Sequence, residues 1–179
     1  MNKNMIYIVV AIVVVILVVG VAGVYLLNGN NGTTNPTVTP TPAPSVPVAG
    51  ATSIQFRVTE TTTASGDVVI YQFACDDLNT ATEKMRVDMD LGADGKFSYI
   101  VDTGVQKSWV TMDEGATWTE SAFADDCTAY GTLLHNFVDK LVAENNSGAD
   151  LSYTTDAASI AIDCIAVNPT LEDSLFTAS

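Results

Sequence analysis

Apolar and polar positions divide the chain into three unlike stretches. Across residues 5–27 every position is apolar except Gly20 and Gly23. As a helix this run would measure about 35 Å, enough to cross a hydrocarbon layer of about 30 Å with slight tilt. Its many Val and Ile residues lower helix propensity in water. In lipid, however, the backbone can satisfy its N–H and C=O groups only internally, so a transmembrane helix is predicted. A cleaved signal peptide needs an apolar stretch of about 7–15 residues; Val21-Ala22-Gly23 imitates a cleavage site, but the run is too long.

Beyond residue 50 the period changes to two. Ile54, Phe56 and Val58 alternate with Gln55, Arg57 and Thr59, as expected of a half-buried strand. The run 68–75 is apolar on both faces, whereas 84–90 sets Met85, Val87 and Met89 against Lys84, Arg86, Asp88 and Asp90, giving one wet face. Further strands are expected at 96–102, 106–112 and 117–121, joined by short Gly- and Asp-containing spacers that suit antiparallel hairpins. Six strands in a meander result.

From Asp126 the spacing becomes helical. Tyr130, Leu133, Leu134, Phe137, Val138, Leu141 and Val142 form one apolar stripe. Asp125 or Asp126 is the expected cap and Gly148 follows the end. Two more strands fit 151–154 and 159–167, before Asn168-Pro169, and Leu171 and Leu175 suit one docking turn. The expected fold class is α+β: an antiparallel sheet of about eight strands with one amphipathic helix packed on it, preceded by the transmembrane helix.

Between these parts, residues 28–50 hold five of the six prolines and five threonines, with no charged or aromatic residue. Such a segment cannot bury enough surface to fold, and as polyproline II it reaches up to about 70 Å. The organisation is therefore an anchor at 1–27, a Thr/Pro-rich linker at 28–50 and a folded domain at 51–179. Asn31 and Asn145 each begin an Asn-x-Ser/Thr triplet and are candidate glycan sites.

Charge fixes the orientation and narrows the partners. Lys3 and the α-amino group are the only cations before Arg57, so the positive-inside rule puts the N-terminus in the cytoplasm and the domain outside, on a single-pass anchor in the cell membrane. The chain has 7 Lys+Arg against 21 Asp+Glu, a net charge of −14. Nucleic acid is excluded as a partner, since phosphate affinity needs clustered cations. The lipid bilayer is the expected partner of residues 5–27.

The stretch Lys84-Met85-Arg86-Val87-Asp88, the Gly92-Ala93-Asp94-Gly95 turn, Phe97 to Asp102, Lys107-Ser108-Trp109-Val110 and Trp118 together resemble the LolA/LolB-type lipoprotein-carrier superfamily. That resemblance implies a half-barrel curled around a helix, with an apolar ligand or lipid-like chain in its groove. Phe56, Tyr71, Phe73, Met85, Met89, Tyr99, Trp109 and Trp118 are the candidate groove residues. Departures are the absence of a lipobox and the transmembrane form of the anchor. The succession of anchor, stalk and acidic domain is also similar to that of archaeal-type surface proteins. Two functions follow: a membrane-anchored extracytoplasmic binding module for an apolar ligand, or a structural or adhesive surface protein with a closed core, whose partner would be a surface-layer protein.

An enzyme is not expected. The only histidine, His135, lies beside the helix stripe, and no nucleophile elbow, P-loop, dinucleotide fingerprint or H-E-x-x-H pattern occurs. Cys75, Cys127, Cys164 and His135 lack the close Cys pairs of structural zinc sites. Asp88, Asp90 and Asp94 fail the EF-hand spacing, and the acids at Asp113 and Glu114 read as solvated turns. No metal or cofactor is expected. Outside the membrane a disulfide is the better use of two thiols. Cys75 with Cys127 is the favoured pair, with the other pairings open, and Cys164, in phase with Ile160 and Ile162, reads as buried.

Overall fold

The computed structural model describes residues 46–178; the run 5–27 and Asn31 lie outside them. Eight strands follow the expected order: β1 (Ser53–Thr62), β2 (Val68–Asp76), β3 (Lys84–Asp90), β4 (Lys96–Asp102), β5 (Lys107–Thr111), β6 (Thr119–Glu120), β7 (Leu151–Thr154) and β8 (Ala158–Val167). All pair antiparallel in one open sheet, ordered β6-β5-β4-β3-β2-β1-β8-β7. The six-strand meander is present. The final hairpin returns to the far side of β1, whose apolar row would otherwise stand at an open edge.

Between β6 and β7 runs a continuous helical rod. It consists of α1 (Phe123–Asp126), a π-helical stretch (Cys127–Gly131) and α2 (Thr132–Asn145). A 14-residue helix is marginal alone, so packing must hold it. Six of the seven stripe residues, Tyr130, Leu133, Leu134, Phe137, Val138 and Leu141, are buried against the sheet. The rings of Phe56 and Phe73 stack at 5.1 Å, Phe137 meets both at 6.3 and 6.0 Å, and Tyr130 lies 4.4 Å from Tyr99. Each such side chain contributes about 1.5–3 kcal/mol by leaving water, far more than helix propensity can offer or withhold.

Three local expectations are corrected. The cap of α1 is Ala122, without a side-chain bond; Asp125 and Asp126 lie within the first turn, where Asp126 instead accepts the hydroxyls of Ser108 at 2.7 Å and of Ser121. Cys164 is exposed. A bulge in β8 is the reason: Arg57 faces Asp163 but Gln55 faces Ala166, so one extra residue separates those pairs and Cys164 takes φ 54°. The bulge changes phase and carries Ile165 and Val167, instead of Cys164, toward the core. Finally, the folded unit begins before residue 51: Val48 is buried, and the Ala49 N–H donates to Asn146 Oδ1 at 2.7 Å.

The sheet's other face carries a smaller apolar island. Ala74, Ile100, Trp109 and Trp118 pack with Leu171, Leu175 and Phe176 from the C-terminal segment, which makes one 3₁₀ turn at Asp173–Phe176. The expected docking turn is thus formed, on the face opposite the helix. Asn145 is the last residue of α2.

Candidate functional site

Register decides which of the eight groove candidates meet. Phe56, Tyr71, Phe73, Met85, Met89 and Tyr99 share the helix-facing side and are all buried in one cluster with the helix stripe. The helix fills the space they enclose. Trp109 pairs with Ile100 and belongs, with Trp118, to the opposite face. The structure therefore assembles six of the eight under the helix and separates the two tryptophans from them.

That opposite face holds an open concavity of about 260 Å³. The wet side of β3 supplies Arg86, Asp88 and Asp90; β2 adds Ile70 and Gln72; β4 adds Lys96 and Ser98; Glu114 closes the rim. Its cations are engaged. Arg86 Nε donates to Asp88 Oδ1 at 3.0 Å, Nη1 reaches the Leu175 carbonyl at 3.4 Å, and the guanidinium lies 5.7 Å from the Trp118 ring centroid. Lys96 sits 3.6 Å from Asp90 and 4.0 Å from Glu114. Paired charges of both signs over an exposed surface suit contact with a polar surface that trades hydrogen bonds. A second open concavity, about 280 Å³, lies on the same face toward β7, lined by Thr59, Thr61, Ser152, Thr154 and Ser159.

His135 is more constrained than its sequence context implies. Its Nε2 lies 3.2 Å from Glu83 Oε1, while Glu83 Oε2 accepts the Asn79 N–H at 2.9 Å. Thr103 donates both its N–H and its hydroxyl to the Glu83 carbonyl, at 3.0 and 2.9 Å. Glu83 thus ties the β2–β3 and β4–β5 turns to the helix. The hydrogen bond to Glu83 raises the His135 pKa above its ordinary 6.5, against a smaller opposing effect of burial.

All three cysteines are free thiols, so the pair expected to join, Cys75 with Cys127, is not bonded in this structure. Cys75 is buried and its thiol points to the Asp76 carbonyl at 3.7 Å. Burial first, and then the Glu83 charge, pushes both the Cys75 and Cys127 thiols up, so neither is activated as a nucleophile. Among the described residues no group of three or more His, Cys, Asp or Glu side chains is arranged to hold a metal ion, and no helix is long and apolar enough to cross a membrane.

One buried group lies outside the candidate residues: a carboxylate inside the core. Glu60 is 4% exposed, and its Oε2 and the Tyr71 hydroxyl are buried without a hydrogen-bond partner among the described residues. The signal was present, since the alternation Ile54, Phe56, Val58 continues to Glu60. Comparisons with protein-family models, curated proteins and solved structures find no match.

Proposed function

We propose that this chain is a membrane-anchored extracytoplasmic binding module that works through its surface, with a closed core and no internal apolar ligand. The apolar run 5–27 spans the membrane once, the Thr/Pro segment acts as a stalk, and the acidic domain stands outside the cell. The observation that carries this reading is the burial of Phe56, Tyr71, Phe73, Met85, Met89 and Tyr99 beneath the helix. In a LolA-like half-barrel carrier those positions would line the groove, and a ligand there would have to displace Phe137 and Leu134 from contacts worth several kcal/mol each. What the domain offers a partner is instead the open face around Arg86, Asp88, Gln72 and Lys96. A surface-layer protein with exposed polar side chains suits it, since both can exchange charge-paired hydrogen bonds without burying an unpaired ion.

Native mass spectrometry of the full chain, released from detergent under gentle activation, tests this. The expected spectrum shows protein without a stoichiometric lipid adduct on the soluble domain after cleavage in the stalk. A lipid retained one-to-one by the cleaved domain would return the function to apolar-ligand carriage.

A further inference from the structure

We propose that Glu60 is a proton switch that fastens the helix and β7 to one end of the sheet when neutral and loosens them when ionised. Strand pairing places Glu60 in a cross-strand row with Val69 of β2, Ile160 of β8 and, one strand further, Tyr153 of β7; Tyr71 lies diagonal to it on β2. This row faces the helix, as the burial of Phe56, Val58 and Glu60 shows.

The groups that surround the carboxyl carry no charge to balance it. From β2 comes Tyr71, and from β7 comes Tyr153; burial, with the Glu60 charge adding to it, keeps both phenols neutral, the Tyr153 pKa standing at about 12. From β8 comes Ile160, its direct cross-strand partner, flanked on the same face by Ala158 and Ile162. From α2 comes Lys140, but its ammonium lies 5.0 Å over the Tyr153 ring and pairs with Glu144 at 2.9 Å. Glu60 forms no ion pair among the described residues.

An ion buried without partner or counter-charge is costly, so the carboxyl either keeps its proton or reaches water. Burial accordingly raises its pKa above the ordinary 4.5. Hydrating Oε2, the carboxylate oxygen sealed without a partner, requires movement, and the elements able to move are plain. β7 is a four-residue edge strand bonded only to β8, and α2 ends beside it. Opening there exposes Glu60 while β2 to β4 stay paired, a local event of the kind that low-stability edges undergo. The switch is independent of membrane or partner.

Hydrogen exchange of the full chain in mild detergent at pH 5 and pH 8, corrected for intrinsic exchange, tests it with wild type and Glu60→Gln. Protection at 151–154 and 137–145 is expected to fall in the wild type about tenfold for each pH unit by which the Glu60 value is displaced, and in Glu60→Gln to fall only by the less than about fivefold that loss of the His135–Glu83 pair brings. Protection in β2 to β4 is expected to hold in both. Equal losses in the two proteins, no loss in the wild type, or a loss spread evenly over the sheet would each overturn the switch. If Glu60→Gln does not fold, Glu60→Leu is held to the same comparison.

Discussion

Gly148 shows how narrowly one position can be specified. Its φ of +69° is left-handed, and a Cβ there would come within 3.2 Å of Val167 Cγ2. Gly50 has φ +81° but open space around it. Gly148→Ala is therefore expected to destabilise the domain by about 2 kcal/mol and Gly50→Ala by only about 1 kcal/mol, as urea midpoints will show. At His135 the sign runs with pH. A raised pKa means the folded state holds the proton longer. Its stabilisation is complete below pH 6.5 and is lost as pH rises through the folded value. His135→Gln is expected to flatten thermal stability between pH 6.5 and 8; because the side chain is 36% exposed, the loss stays under about 1 kcal/mol. Glu60 was legible in the alternation of β1, since a core-facing position every second residue reaches it. The His135–Glu83 bond was not, because it joins residues 52 apart through a turn that no periodicity describes.

At the scale of elements, the helix stripe was readable because packing and sequence obey one period; Tyr130, Leu133, Leu134, Phe137, Val138 and Leu141 all turn inward. Phe137, edge-on to Phe56 and tilted against Phe73, is the centre of that contact. Phe137→Ala is expected to cost about 3–5 kcal/mol, measured by denaturant unfolding, and to exceed any single substitution on the outer face. The helix start was less legible, since the rod begins at Phe123 with no side-chain cap to announce it. The bulge in β8 had a signal in the change from Ile160 and Ile162 to Ile165 and Val167, a phase jump that strict alternation conceals. The two tryptophans were misplaced for a related reason: only register tells which face Trp109 takes, and that depends on its partner Ile100. On the outer face, Trp118 helps seat the C-terminal turn beside Leu175 and Phe176. Trp118→Ala is expected to leave the helix-side core folded yet make 169–176 an early target of limited proteolysis.

Across the whole molecule, opposing carboxyl groups set the pH range of stability. Hydrogen bonds from Thr117 and Thr111 hold Asp113 at about 2, and the Arg57 bond lowers Asp163, so their support is present above the ordinary 3.8 and lost as pH falls further. Glu60 and His135 act oppositely, weakening the fold as pH rises. Stability is thus expected to peak in mild acid. Residues 51–179 carry all 21 acids and six of the seven Lys+Arg, a net charge of −15 that would repel anionic lipid headgroups. Composition divides the chain into an apolar run, a Thr/Pro-rich segment and an acidic domain, because each suits a different solvent. A binding face is not legible in this way, since it is made of residues ordinary for any wet surface. The central claim, a domain tethered outside the cell by the Thr/Pro stalk, is tested most directly by protease treatment of intact cells. The account expects release of a folded fragment beginning between residues 28 and 46, without lysis. Full protection of the domain until the cells are broken would contradict it.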